Sequence, residues 1–129
     1  MIFAAQKYGV AATGITLSRT QAEYGSSLIR KLGLEAQCTI LHLDFRDFRC
    51  ADRFDKIASV GAIEHVPEGE LLSFFQNAKK LLEPSGLFLS HGITAAATDS
   101  LPSGQSFVDA FVFPDNGVTM IWQQLRTAE

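Results

Sequence analysis

The feature that most constrains the fold is an alternation of short, β-branched apolar stretches with segments of helical periodicity. The apolar stretches are rich in Val, Ile and Thr, as is typical of β-strands. Between them, apolar residues recur every three or four positions, which is the period of a helix buried on one side. Strands that alternate with helices predict an α/β fold, in which helices flank a mostly parallel sheet.

The predicted elements follow one another in the order α-β-α-β-β-α-β, and a further helix closes the chain. Helices are predicted over residues 1–8, 18–32, 70–82 and 118–128. Strands are predicted over residues 10–17, 38–43, 54–60 and 87–93. Other segments are predicted as a charged connection over 44–53, a turn over 84–86 and a loop over 94–105. Residues 107–113 are apolar, and their secondary structure is left open. The helix over 70–82 is amphipathic, and the residues expected on its buried side are Leu71, Leu72, Phe75, Ala78, Leu81 and Leu82.

Residues at the helix ends support these boundaries. Ser18 and Gln21 have the spacing of a capping box, in which each side chain satisfies a backbone N–H of the other residue. Gly9 and Gly33 are placed to end the first two helices in the left-handed conformation. Leu34 after Gly33 predicts the hydrophobic contact of a Schellman ending.

Length and charge exclude several classes of protein. A chain of 129 residues has the length of a single domain, 1–129. The net charge is -3 and no cluster of Lys and Arg exceeds two residues, so nucleic acid is not an expected partner. The two cysteines, Cys38 and Cys50, lack metal-site spacing and are predicted to be reduced thiols of a cytoplasmic protein. The N-terminal segment lacks a basic region, which argues against a signal peptide.

Candidate functional residues follow the predicted strands. In open parallel sheets, ligands bind beyond the carboxyl ends of the strands, which all lie at one edge. The polar and aromatic residues at these ends are Thr16 and Ser18, Asp44 and Phe45, Glu64 and His65, and Ser90 and His91. The pattern places carboxylates, imidazoles, hydroxyls and one aromatic ring together.

Residues after the first two strands also have structural explanations. A capping box accounts for Ser18 and Gln21, and Asp44 is suited to cap a turn. Phe45 fits a packed interior as well as a ligand site. Both interpretations stay open at this stage.

The same holds for the acidic and histidine residues of the later strands. Glu64 precedes a helix, where a negative charge complements the helix dipole, and His65 stands beside it. His91 ends an apolar strand, a position that also suits a hydrogen-bonded structural histidine. His42 is predicted to be structural.

Several nucleotide-binding and catalytic motifs are absent from the sequence. It contains no G-x-G-x-x-G, no P-loop and no G-x-S-x-G. Its histidines and cysteines show neither HExxH nor CxxC spacing, so no metal site is predicted.

Four segments resemble one known family, in the same order along the chain. They are "AAQKYGVAATGITLSRTQAEY", "FDKIASVGAIEHV", "LLEPSGLFLSHGIT" and "FVDAFVFPDNG". Together they are similar to segments of the cyclopropane-fatty-acyl-phospholipid synthases and mycolic acid cyclopropane synthases. The resemblance extends over residues 3–117.

The resemblance implies a class I methyltransferase that uses S-adenosylmethionine and has a Rossmann-like sheet. Such enzymes transfer the sulfonium methyl group to the double bond of an unsaturated acyl chain. The resulting carbocation loses a proton and closes to a cyclopropane, with bicarbonate as the expected base.

The resemblance also implies roles for the residues at the first two strand ends. Thr16, Ser18 and Gln21 would approach the ribose and the amino-acid part of S-adenosylmethionine. Asp44 would accept a hydrogen bond from the adenine amino group, and Phe45 would lie on the adenine face.

By the same resemblance, Glu64 and His91 would be the catalytic residues that hold bicarbonate, with help from the Ile93 backbone. A carboxylate and an imidazole beside an anion imply that one of them carries a proton, because like charges would otherwise repel each other.

The sequence departs from the family pattern at several points. The family's first strand and glycine-rich loop would precede residue 1, and further strands would follow residue 129, so an incomplete Rossmann-like fold is expected. Where the family has a tyrosine, this sequence has Phe111. The missing first strand would leave two strand edges unpaired, and such edges are prone to association. We expect either direct pairing of the first and third strands, or a homo-oligomer that covers the gap.

The function expected from the resemblance is methyl transfer to an unsaturated acyl lipid, impaired by truncation. The expected cofactor is S-adenosylmethionine, with bicarbonate beside it. Two alternatives stay open: a methyltransferase acting on a non-lipid small molecule, and a non-catalytic binding or oligomerising module that keeps the fold.

Overall fold

The computed structural model describes residues 1–94 and 119–128. The predictions for the loop beyond Thr94, for the apolar segment 107–113 and for Phe111 lie outside the described residues. The chain divides into two compact units, Met1–Arg49 and Cys50–Glu129.

The first unit contains two helices and two strands. Along the chain they are α1 (Ile2–Tyr8), β1 (Ala12–Thr16), α2 (Arg19–Lys31) and β2 (Cys38–His42). β1 and β2 are parallel, with a register that runs from Ala12 opposite Cys38 to Thr16 opposite His42. The carboxyl ends of the two strands are therefore level with each other.

Both helices of this unit end as the sequence predicts. Gly9 follows α1 at φ 66°, and its N–H donates to the Ala5 carbonyl at 2.9 Å. After α2, Gly33 has φ 67° and donates to the Arg30 carbonyl, while Leu34 donates to the Ile29 carbonyl. These two bonds are those of a Schellman motif, so the prediction for this ending is confirmed.

A small apolar cluster holds the first unit together. Ala5 of α1, Ile29 of α2 and Cys38 of β2 are its buried members. The partly buried residues packed against it are Ile2, Ala12, Leu34 and Ile40. Burial of this cluster stabilises the packing of both helices on the strand pair.

The described residues of the second unit form two strands, two helices and two single helical turns. In chain order they are β3 (Phe54–Val60), 3-10 turns at Ile63–His65 and Glu68–Glu70, α3 (Leu71–Leu81), β4 (Leu82–His91) and α4 (Ile121–Ala128). β3 and β4 are parallel, so every described strand pair is parallel and the predicted α/β class is confirmed.

The described strands form two two-stranded sheets, β1–β2 and β3–β4. Direct pairing of β1 with β3, one of our two expectations, is therefore wrong for the residues that the structure describes. Each of these strands is parallel to the one partner with which it forms a sheet.

The turn predicted at residues 84–86 lies inside a strand irregularity. The register passes from Phe54 opposite Leu82 to Lys56 opposite Leu87, so four residues of β4 lie between these pairs where β3 has one. The extra residues bulge at the start of β4, which is why Pro84 is accommodated there.

The buried side of α3 differs in part from the prediction. Leu71 is fully buried, but Leu72 is 52% exposed and Phe74 is 6% exposed. Phe74 packs in a triangle with Phe75 and Phe88, with ring centroids 5.3 to 6.0 Å apart. Aromatic pairs at such separations are favourable. The contacts with Phe88 of β4 therefore stabilise the orientation of α3 in which Phe74 and Phe75 face the strand.

Candidate functional site

Hydrogen bonds join the three predicted cofactor residues at the end of β1. The Ser18 backbone N–H donates to Thr16 Oγ1 at 3.1 Å, and the Thr16 hydroxyl donates to Gln21 Oε1 at 2.8 Å. The Gln21 backbone N–H then donates to Ser18 Oγ at 3.3 Å, which caps α2. Of the two hydrogen bonds of the predicted capping box, the one from the Gln21 N–H to Ser18 Oγ is present. The other is not, because the Ser18 N–H donates to Thr16 Oγ1 and not to the Gln21 side chain.

This arrangement leaves hydrogen-bond donors at the turn. Among residues 1–94 and 119–128, the Gln21 side-chain nitrogen has no hydrogen-bond partner, and Gln21 is exposed. The turn can therefore donate hydrogen bonds to the acceptor oxygens of a ligand at the carboxyl end of β1.

Asp44 and Phe45 follow β2 at the same edge of the first unit. The Leu43 N–H donates to the Thr16 carbonyl at 3.0 Å, which joins the two strand ends. Asp44 accepts from the Arg46 backbone N–H at 2.8 Å and from the Arg46 guanidinium at 2.7 and 3.0 Å. The Arg46 guanidinium also lies 6.0 Å from the centre of the Phe45 ring.

The Arg46 contacts determine the state of the Asp44 carboxyl group. Hydrogen bonds from the Arg46 side chain and backbone lower the pKa of Asp44 below its ordinary value. Asp44 is thus held ionised, and its oxygens keep lone pairs that can accept from a ligand donor. The Arg46 side chain remains 53% exposed, and the Asp-x-Arg spacing that allows this turn is visible in the sequence.

Glu64 is a buried acidic residue of the second unit. Its side chain is 5% exposed and belongs to the 3-10 turn after β3. One carboxyl oxygen, Oε1, accepts from the Ile93 N–H at 2.7 Å. The other, Oε2, is buried without a hydrogen-bond partner in the described part of the chain.

Burying a carboxyl oxygen without a hydrogen bond costs free energy unless the oxygen is protonated or contacts a ligand. Glu64 Oε2 therefore marks a candidate ligand site. The Ile93 N–H, which we expected to face an anion, is instead donated to Glu64. Gly92 was not singled out from the sequence, yet a Cβ there would collide with Ile63 and approach Glu64.

His91 lies at the end of β4 and is exposed. It stands opposite Val60 in the register, and its carbonyl accepts from the Gly61 N–H at 3.0 Å. His91 and Glu64 therefore both belong to the carboxyl end of the β3–β4 pair. The two predicted catalytic residues are in one unit, and the five predicted cofactor residues are in the other.

The described residues contain neither a cluster suited to a metal ion nor a membrane-spanning helix. No group of three or more His, Cys, Asp or Glu residues is placed to hold a metal ion within residues 1–94 and 119–128. No helix in the described part of the chain is both long and apolar enough to cross a membrane.

Solved structures with the same architecture define the class of fold. The cyclopropane synthase MmaA2 from Mycobacterium tuberculosis matches with a TM-score of 0.85 and 26% identity, over 97% of this chain and 47% of that one. The mycolic acid cyclopropane synthase CmaA1, complexed with SAH and CTAB, matches with a TM-score of 0.83 and 27% identity, over 98% and 48%. The fold is that of the S-adenosylmethionine-dependent methyltransferases.

Sequence relatives identify the family within that class. The family model described as mycolic acid cyclopropane synthetase matches residues 1–128. A "Probable fatty acid methyltransferase" of Pseudomonas putida is 38% identical over 87% of this chain. The cyclopropane-fatty-acyl-phospholipid synthase of Escherichia coli K12 is 32% identical over 98% of it. The chain belongs to the mycolic acid cyclopropane synthetase family, and it spans 29% and 31% of the length of these two relatives.

Proposed function

We propose that this chain contributes to an S-adenosylmethionine-dependent methyltransferase that modifies unsaturated acyl chains of lipids. The observation that carries the proposal is the buried Oε2 of Glu64, which has no hydrogen-bond partner among residues 1–94 and 119–128, in a chain whose family contains cyclopropane synthases. A relative's structure that holds SAH and CTAB supports both a cofactor and a long-chain substrate. Because the family match runs through both units, we also propose that residues 1–129 form one methyltransferase-like domain.

On the cofactor side, the donors and acceptors of the first unit fit S-adenosylmethionine. Thr16, Ser18 and Gln21 are assigned to the ribose and amino-acid side, which carries acceptor oxygens that match the free amide of Gln21. Asp44 is assigned to the adenine amino group, and Phe45 to the adenine face. The ionised state of Asp44 supports this, since a carboxylate accepts hydrogen bonds but does not donate them.

On the catalytic side, Glu64 and His91 are assigned to bicarbonate. When bound, that anion would supply the base that removes a proton after methyl transfer. Glu64 would hold it by donating a proton from Oε2, which would satisfy the buried oxygen and avoid like-charge repulsion. His91, at the exposed end of β4, would contribute a second donor.

The cofactor assignment is tested by calorimetry with S-adenosylmethionine. We expect micromolar binding by the chain, and a loss of about tenfold in affinity for Asp44→Ala, since it removes a charge-assisted hydrogen bond. Asp47→Asn, in the same exposed connection, is the matched control and should bind as the parent does. No binding at millimolar cofactor would contradict this assignment.

The reaction is tested with methyl-labelled S-adenosylmethionine and vesicles of a monounsaturated phospholipid. We expect label in the lipid, a dependence on added bicarbonate, and a decrease of about 100-fold for Glu64→Ala, which removes the donor at Oε2. Glu83→Ala makes the same change at an exposed position and should leave the rate unchanged. Label that enters a water-soluble acceptor instead would favour the non-lipid methyltransferase.

A second candidate function is an oligomerising module, favoured by the surface of the second unit. Val60, Leu87 and Leu89 on β3 and β4 are between 59% and 67% exposed. Exposed apolar strand residues promote association of chains, and a homo-oligomer would cover them. Light scattering coupled to size exclusion tests this candidate, and a monomer at high concentration would eliminate it.

We further propose a cytoplasmic location. Cys38 and Cys50 are both free thiols, as predicted. Reduced thiols are the norm in that compartment. Alkylation of Cys50 in intact cells by a membrane-permeant reagent, but not by an impermeant one, would support the location.

A further inference from the structure

The turn after β1 is fixed from two directions. From within, Thr16 Oγ1 accepts the Ser18 N–H and donates to Gln21 Oε1. From the neighbouring strand, the His42 ring Nε2 donates to the Leu17 carbonyl at 2.9 Å, since a carbonyl can only accept. Leu17 lies between Thr16 and Ser18, so His42 holds the backbone on which the other contacts depend.

The hydrogen-bond donors of Thr16 and Gln21 differ in whether they have a partner. The Thr16 hydroxyl has one hydrogen, and it is donated to Gln21 Oε1. The Gln21 side-chain nitrogen keeps both hydrogens, with no partner among residues 1–94 and 119–128. In the reverse orientation of the Gln21 amide, its N–H would donate to Thr16 Oγ1 and its oxygen would be left for a ligand, so the orientation in the structure is the one that leaves the N–H groups available.

We propose that Thr16 and His42 are positioning residues, which hold the Gln21 amide so that its N–H groups point to an acceptor oxygen of the bound cofactor. The proposal rests on the proposed function and deepens it, because it makes Gln21 the residue of this pair that contacts the cofactor. Thr16 then lies at the ribose and amino-acid side of the cofactor as a positioning residue, with the contact made by Gln21, and His42 gains a role in the cofactor site.

The positioning claim is tested without any ligand, by NMR of the Gln21 side-chain amide. The exposed Gln6 supplies an internal reference for an unrestrained amide. We expect Thr16→Val to move the Gln21 signals toward those of Gln6, and Thr16→Ser, which keeps the hydroxyl, to leave them in place. Gln21 signals that are unchanged by Thr16→Val would overturn the claim for Thr16.

The role of His42 is tested in the same spectra with two variants. His42→Leu removes the donor to Leu17, and we expect it to move the Gln21 signals. His42→Gln keeps an N–H near the position of Nε2 and should restore them. If both variants give the parent spectrum, His42 has no positioning role.

The cofactor contact is tested by titration with S-adenosylhomocysteine. We expect Thr16→Val and Gln21→Ala each to weaken binding about tenfold, and the double variant to bind no more weakly than Gln21→Ala alone. A double variant about 100-fold weaker than the parent would show that Thr16 contacts the ligand itself and would overturn the proposal.

Failure of the proposed function gives a different result. If the parent chain does not bind S-adenosylhomocysteine at all, the cofactor assignment fails and with it the ligand contact of Gln21. The ligand-free spectra still decide whether Thr16 and His42 position the Gln21 amide.

Discussion

Replacing Gly92 with alanine tests the packing that holds Glu64 in place. A Cβ at this position would collide with the Ile63 side chain and lie 3.3 Å from Glu64 Oε1. Ile63 is 1% exposed, so its side chain cannot move aside into solvent. The Gly92 backbone is not among the left-handed glycines, and the cost of the substitution is therefore steric. Overpacking of a filled interior costs about 1–3 kcal/mol.

The measurement is hydrogen exchange of the Ile93 amide, which donates to Glu64 Oε1. We expect Gly92→Ala to lower its protection by about 5- to 140-fold, which is the equivalent of 1–3 kcal/mol. Gly69→Ala is the matched control, because a Cβ there meets no atom within 4 Å. If the two variants protect the Ile93 amide equally, then Gly92 is not closely packed and the reasoning about Glu64 is refuted.

Three further predictions concern the core, a charge and a turn. Leu71→Ala should lower the free energy of unfolding by about 2–5 kcal/mol in urea denaturation. Leu72→Ala, at the exposed neighbouring residue, should lower it by less than about 0.5 kcal/mol, and equal losses would contradict the burial assigned to Leu71. Arg46→Ala should raise the pKa of Asp44 in an NMR titration, because the guanidinium lowers that pKa. The stability that Arg46 contributes is present above pH 3.8, the ordinary pKa of an Asp carboxyl group, and it is lost as the pH falls through the lowered pKa. Gly33→Ala should destabilise the first unit by about 1 kcal/mol, because φ is 67° there, and an unchanged urea midpoint would argue against the left-handed ending.

Local signals explain the parts of the fold that the sequence predicted. The capping position of Ser18 and the glycine endings at Gly9 and Gly33 depend on neighbours a few residues away, so they are visible in the sequence. The bounds of β3 were predicted without error, since its apolar run is flanked by polar and glycine residues. The predicted helix over 118–128 begins three residues later, at Ile121, because helix starts are weakly specified by local pattern.

The sequence indicated which candidate residues follow each strand, but it did not indicate their contacts. Thr16, Ser18 and Gln21 follow one strand and lie near one another, yet the bond from Thr16 to Gln21 was not foreseen. The ion pair between Arg46 and Asp44 was not foreseen either. Side-chain partners depend on rotamers, and several are compatible with any one sequence pattern.

The sequence by itself determined the kind of elements, their order and the polar residues that follow each strand, because periodicity and end signals are local properties of a chain. Tertiary structure alone decided that Phe74 faces inward while Leu72 does not, since that depends on the Phe88 ring of a later strand. It also decided that Glu64 is buried with one oxygen bound to the Ile93 N–H and the other without a described partner. Burial is a property of what packs around a residue, and the residues that pack around Glu64 come from distant positions in the chain.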